Sequence, residues 1–103
     1  MLRIHPVILE WIGSLPLGSI ARHDSNLASQ LRRSATSVYL STAEGMGATA
    51  GRKRNSYRIA LGEVREAVAA MELAVLFGYA SPLNEVELDR QSRIIGTLVR
   101  LAR

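Results

Sequence analysis

The chain contains no cysteine. Disulfides, thiolate metal sites and a cysteine nucleophile are therefore excluded, and a reducing, cytoplasmic setting is the expectation. Aromatic residues make up only 5% of the sequence. Ala, Leu, Ile and Val carry the apolar content instead, a balance that favours helices packed through small side chains over a β-sandwich. No unbroken run of 18 or more apolar residues occurs, so no segment reads as a membrane span. The opening stretch from Met1 to Ala21 comes nearest to a targeting signal, but Pro6, Glu10, Trp11 and Pro16 interrupt it. Lysine is nearly missing as well. Of thirteen basic residues twelve are arginine, against nine acids, for a net charge of +4. The excess is mild, and the arginine bias fits either a codon preference or bidentate recognition of phosphate or carboxylate.

What remains is a 103-residue chain that is 48% hydrophobic, enough for one domain with a modest core. Apolar spacing predicts four helices, at roughly residues 6–15, 26–46, 52–77 and 82–102. In the first, Ile4, Ile8, Trp11 and Leu15 share a face. Pro16 to Ser25 then reads as a loop with turn chemistry. In the second, Leu27, Leu31, Ser34, Val38, Ser41 and Gly45 form a stripe whose small members imply close helix approach. The Gly45–Gly51 stretch is the clearest break. In the third, Tyr57, Leu61, Val64, Val68, Met71 and Val75 step by four and three in alternation, the seam an antiparallel bundle needs. Ile59, Ala70, Leu73 and Phe77 make a second apolar strip on the same helix, which predicts burial against another subunit, with Ile59, Leu73 and Phe77 as the interface candidates. Gly78-Tyr79 ends that helix. The fourth opens at Ser81-Pro82, with Asn84 and Glu87 offering an alternative capping box, and its apolar face is Leu88, Ile95, Leu98 and Ala102. The fold class is all-α: an up-down-up-down four-helix bundle.

The basic residues carry the main functional suggestion. Arg52-Lys53-Arg54 opens the third helix, and Arg54, Arg58 and Arg65 project from one strip of it. Like charges one turn apart repel, so such a strip makes most sense when an anion neutralises it; a solvated helix face is the plain alternative. Arg90, Arg93, Arg100 and Arg103 form a second strip on the last helix, which could also meet a phosphate backbone but reads first as a solvated face, the final ones complementing the helix dipole. Base stacking would fall to Tyr39, Tyr57 and Tyr79, and nothing supports sequence-specific readout.

Other chemistry is poorly served. The glycine-rich break lacks P-loop spacing, because three residues separate Gly47 from Gly51 and Arg52 follows where Lys should be. A helix, not a strand, precedes Gly45-Met46-Gly47, which argues against a dinucleotide fingerprint. His5 and His23 have no acidic neighbours to form a metal site. Glu44, Glu63, Glu66 and Glu72 lack the Glu-x-x-His pairs of a di-iron bundle. Glu63 and Glu66 are expected to pair with arginines. Glu44, set among small apolar residues, is expected to be buried opposite one. No cofactor, metal, small-molecule substrate or catalytic set is predicted, so the chain does not read as an enzyme.

Two segments resemble a known family. Leu31-Arg32-Arg33-Ser34-Ala35-Thr36-Ser37-Val38 followed by Ala43-Glu44-Gly45 is similar to the "LRRAAxSI…NIAEG" segment of bacterial four-helix-bundle proteins encoded in intervening sequences of 23S rRNA genes, sometimes labelled S23. That family includes the accessory variability determinant proteins of diversity-generating retroelements. Ile59-Ala60-Leu61-Gly62 and Gly78-Tyr79-Ala80-Ser81 are similar to its "IALGSLxELE…LGYLS". The resemblance spans roughly Leu27 to Ser81. Tyr39 stands where the family has Pro, Ser41 where it has Asn, and Val68 at the second acid of "ELE", while Glu66 matches the first. The resemblance implies a ring-like homopentamer with a basic surface that associates with RNA or DNA, in one branch beside a larger nucleoprotein enzyme. Carried over, it adds Arg32 and Arg33 to Arg52, Lys53, Arg54, Arg58 and Arg65 as binding candidates, although Arg32 and Arg33 could equally form intersubunit salt bridges. The leading expectation is thus a non-enzymatic, homo-oligomeric nucleic-acid-binding accessory. The alternative is a protein-interaction scaffold that binds no nucleic acid.

Overall fold

In the computed structural model, which describes residues 2–103, the chain forms helices α1 (Ile4–Ser14), α2 (Leu17–His23), α3 (Ser25–Met46), α4 (Ala50–Leu76) and α5 (Glu85–Leu101), with no strand among the described residues. Helices α3 and α4 form the most extensive pair. α1 packs on α3 and α5, and α5 also packs on α4, so these four enclose the core while α2 lies against α3. The molecule measures 42 × 26 × 19 Å.

The predicted stripe on α1 is the observed one: Ile4, Ile8, Trp11 and Leu15 are all buried, Ile8 and Trp11 completely. Pro16 drives Leu15 out of helical geometry to φ −68°, ψ 130°, as the ring of a proline requires of the residue before it. The expected loop after it is instead the short helix α2. Pro16 takes the N-cap position, and Ile20, with no exposed surface, anchors the turn in the core. The Ser19 hydroxyl donates to the Tyr79 carbonyl at 2.7 Å, and His23 stacks on the Tyr79 ring. These long-range contacts outweigh the turn chemistry of Pro16 and Gly18. By length and composition alone, Ile4–His23 would be apolar enough for a membrane span, with a mean hydropathy of 1.2. In this fold the stretch is broken at Leu15-Pro16, and Ile4, Ile8, Trp11, Leu15 and Ile20 face the core while Leu9 is exposed.

Asp24 caps α3 by accepting from the Leu27 N–H at 2.9 Å, and the predicted stripe on α3 is buried throughout. The seam of α4 differs from the expected one. It runs Tyr57, Ala60, Val64, Ala67, Met71 and Ala74, stepping by three and four from the same Tyr57. Leu61 and Val75 lie half-buried on its flank, not at its centre, and Val68 is likewise only half-buried. The buried line alternates Ala60, Ala67 and Ala74 with Tyr57, Val64 and Met71, small residues of the kind that permit close helix packing, as Gly45 does on α3. Ala70 is also buried, while its expected strip partners Ile59, Leu73 and Phe77 are 48%, 43% and 56% exposed. At the top of the pair a Cβ on Gly45 would sit 2.7 Å from Tyr57 Cε1, so this glycine is what lets the ring in.

Tyr57 is 2% exposed, and burial raises its phenol above the ordinary value of 10.0 by disfavouring the charged phenolate. A group whose pKa is raised on folding contributes stability that is complete below its unfolded pKa and lost as pH rises through the folded one. Melting temperature should therefore fall as pH climbs past about 10, and Tyr57→Phe should remove the tyrosine part of that fall. An alkaline melting profile identical in the two proteins would reject this assignment.

Helix α4 ends in a Schellman motif. Gly78 adopts φ +77°, the Tyr79 N–H donates to the Ala74 carbonyl at 2.8 Å and the Gly78 N–H to the Val75 carbonyl at 3.0 Å. Helix α5 begins not at Ser81-Pro82 but at Glu85, because the Asn84 side chain caps it by accepting from the Glu87 N–H at 2.9 Å. Its roll is set by α1: Trp11 Nε1–H donates to Gln91 Oε1 at 3.3 Å, and Arg90 pairs with Glu10 at 2.7 Å and also with Glu87. Ile94, Leu98 and Ala102 consequently face the core, whereas Leu88, expected there, is 46% exposed and Ile95 is half-buried.

Candidate nucleic-acid interface

All seven candidate binding residues are exposed, but they do not form one surface. Arg32 and Arg33 together border a depression on α3 with Ser29, Thr36, Ser37 and Leu40. Arg33 shares a polar groove with Gln30, Glu63 and Glu66 across the α3–α4 boundary. Glu63 and Glu66 face Arg33 there without closing an ion pair. Among the described residues the ion pairs are those of Arg90. From that groove the helix runs about 18 Å, twelve residues at 1.5 Å each, from Glu66 back to Arg54. Arg65 lies on this middle stretch of α4.

Arg52, Lys53 and Arg54 stand at the opening of α4, where the first turn holds no acidic residue and the N-cap Thr49 makes no side-chain hydrogen bond. The partial positive charge of a helix N-terminus disfavours cations and attracts anions. Three adjacent basic side chains at this end are therefore mutually unfavourable until an anion arrives. Arg58 is less free than its exposure suggests. Its Nε–H donates to the Ala102 carbonyl at 3.2 Å, satisfying one of the orphan carbonyls that end α5.

That contact brings the end of α5 beside the start of α4. The start of α1 joins them, because Arg3 shares a cleft with Arg93, Thr97 and Arg100 of α5. One end of the bundle thus gathers Arg3, Arg52, Lys53, Arg54, Arg58, Arg100 and Arg103 from three helices. Glu44 lies there too. Expected to be buried and paired, it is exposed and has no ion-pair partner, because its neighbour Gly45 is the residue that meets α4. It lines a depression with Arg52 and Asn55. The other acids sit away from this end: Glu10 toward the end of α1, paired with Arg90, Asp24 at the start of α3, Glu85, Glu87 and Asp89 in the first turns of α5, and Glu63, Glu66 and Glu72 farther along α4.

Residues 18–100 match the model of the 23S rRNA-intervening sequence protein family. The chain belongs to that family. The match covers most of the chain, from α2 to the last turn of α5, and α1 lies ahead of it. No curated protein and no solved structure is significantly similar. The protein is a small, all-helical member of the 23S rRNA-intervening sequence family.

Within this family member, no three His, Cys, Asp or Glu side chains gather as metal ligands among the described residues. His5 is buried edge-on against Tyr39, with Nδ1 3.1 Å from the Leu2 N–H, and His23 is held on Tyr79. Of the tyrosines offered for stacking, Tyr57 is in the core and Tyr39 and Tyr79 are half-buried in these contacts. The feature that sequence reasoning missed is the convergence at one end. Arg93 and Arg100 are visible as a strip, but nothing in the sequence says that Arg3 or the start of α4 lies next to them. That follows only from which helices pair.

Proposed function

We propose that the protein is a non-catalytic, homo-oligomeric accessory that holds RNA or DNA through phosphate contacts at the basic end of its bundle. The observation that carries this reading is the Arg52-Lys53-Arg54 group at an uncapped helix N-terminus with no acid in the first turn. Repulsion there is relieved by an anion, and a phosphate backbone supplies anions in series. Exposed Tyr faces for base stacking are scarce, so binding is non-specific in sequence. In the assembled form an up-down-up-down protomer forms a ring, as a pentamer, in the cytoplasm, with a larger nucleoprotein enzyme as the natural client. Exposed Ile59, Leu73, Leu76 and Phe77 on α4 supply an apolar face for self-association, and they also favour the second reading, a scaffold for a protein partner. Light scattering should give a mass that is a multiple of the 11.3 kDa chain; a monomer would remove the ring.

The triple change Arg52→Gln, Lys53→Gln, Arg54→Gln separates the two readings. Each lost phosphate contact should flatten the slope of log affinity against log salt by about 0.9 for duplex DNA and about 0.7 for single strands. The triple variant should therefore lose between about 2 and 3 units of slope while its helicity and oligomeric mass stay the same. Unaltered affinity and slope would take the α4 opening out of the interface. A changed mass with unaltered binding would favour the scaffold.

A further inference from the structure

The cleft between the start of α1 and the last turns of α5 has chemistry of its own. Arg3, Arg93, Thr97 and Arg100 line it, with Ile4 and Leu101 among its apolar walls, around a volume of about 280 Å³, and no acidic residue borders it. On α5 the three polar residues are spaced i, i+4 and i+7, so they lie on one face, and Arg3 reaches the same space from another helix.

Arg100 is exposed, but its side chain folds back along its own helix. Its Nη2 donates to Thr97 Oγ1 at 3.3 Å, and its Nη1 lies 3.8 Å from where a Cβ on Gly96 would be. The guanidinium is thus laid back along α5 in the direction of Arg93. Neither Arg3, Arg93 nor Arg100 has a carboxylate within ion-pair distance among the described residues. Asp89, one turn before Arg93, closes no pair with it, and Glu10 and Glu87 are both engaged by Arg90. The dipole of α5 accounts for cations in its last turn. It does not account for Arg93, two turns earlier, and Arg3 stands at the positive end of α1, where a cation is disfavoured. Three guanidiniums facing one acid-free cleft are complementary to a multiply charged oxyanion. The Thr97 hydroxyl, which accepts from Arg100, keeps its own hydrogen free to donate to such an anion.

We propose that this cleft is a phosphate-binding site, in which Arg3, Arg93 and Arg100 close on one phosphate group and Thr97 donates to it. The phosphate belongs either to a small phosphate compound or to a nucleic-acid backbone. Only the second source rests on the function proposed above.

Amide and arginine Nε–H resonances of the full chain, followed during titration with pyrophosphate and separately with a short single-stranded oligonucleotide, test the site. Pyrophosphate should give saturable shifts at Gly96, Thr97 and the side chains of Arg3, Arg93 and Arg100. Arg93→Gln with Arg100→Gln should weaken that binding at least tenfold, and Arg22→Gln, on the exposed side of α2, should leave it unchanged. If the double variant does not fold, Arg3→Gln and Thr97→Val, each expected to weaken binding several-fold, take its place. An oligonucleotide that moves the same resonances and is displaced by pyrophosphate makes the backbone the source. Pyrophosphate binding here while the oligonucleotide binds elsewhere makes a small phosphate compound the source. If the oligonucleotide does not bind at all, the nucleic-acid function fails and the cleft stands. Absence of saturable pyrophosphate shifts at these residues overturns the cleft, whatever the oligonucleotide does.

Discussion

Replacing Trp11 by alanine should destabilise the protein by about 3–5 kcal/mol, the usual cost of deleting a fully buried aromatic. In a chain of this length that corresponds to a drop of more than about 12 °C in melting temperature, and with a total stability of only about 5–15 kcal/mol it can abolish the cooperative transition altogether. Trp11 has no exposed surface. Its indole N–H holds Gln91 of α5, one of the contacts that sets which face of α5 looks inward. It also lies in α1, ahead of the residues that match the family. A thermal melt of Trp11→Ala followed by far-UV circular dichroism checks the claim. A loss of only a few degrees would mean that α1 is an appendage and not a wall of the core.

The second large effect concerns the alanine seam of α4. Ala67→Leu adds a branched side chain at a position that is 1% exposed, on the helix that makes the most extensive contact with α3. Overpacking of this kind costs about 1–3 kcal/mol and at times more, and here relief requires α3 and α4 to separate along their length. Leu61→Ala, by contrast, removes a half-buried side chain from the flank and should cost less than Ala67→Leu. Chemical denaturation of the two variants should rank them in that order. The reverse ranking would restore the seam through Leu61 and Val68.

That reversal of size and importance explains where the sequence was legible and where it was not. The stripe Ile4, Ile8, Trp11 and Leu15, and the stripe from Leu27 to Gly45, could be read directly because large or mixed residues recur there at helical spacing and polar ones flank them. On α4 two seams share Tyr57, Val64 and Met71, and periodicity cannot choose between their other members. Residue size favours Leu61, Val68 and Val75, whereas the fold buries Ala60, Ala67 and Ala74. The small residues of α3, Gly45 above all, already pointed to close contact, but they do not reveal which side of α4 receives it. The segment after Pro16 became a helix through Ile20, Ser19 and His23, whose partners in the core and at Tyr79 lie far away in sequence. Along α5 the misplaced Leu88 reflects a roll fixed by Arg90 and Gln91, again through another helix. The candidate site divides in the same way. Arg52-Lys53-Arg54 at a helix opening is a local pattern and was readable. The meeting of Arg3, Arg58, Arg100 and Arg103 at the same end is a property of helix pairing. So is the diversion of Arg58 to the Ala102 carbonyl and of Arg90 to Glu10.

The central claim, that the basic end of the bundle grips phosphate backbone, is tested most directly by equilibrium binding of the purified protein, at known oligomeric mass, to duplex DNA and structured RNA across a salt series. The account predicts binding at low salt with little preference among sequences, falling on a log–log plot with a slope of about −0.9 for each phosphate contacted on duplex DNA. No binding at low salt, or binding indifferent to salt, would contradict it and assign the arginines of this end to contacts with protein.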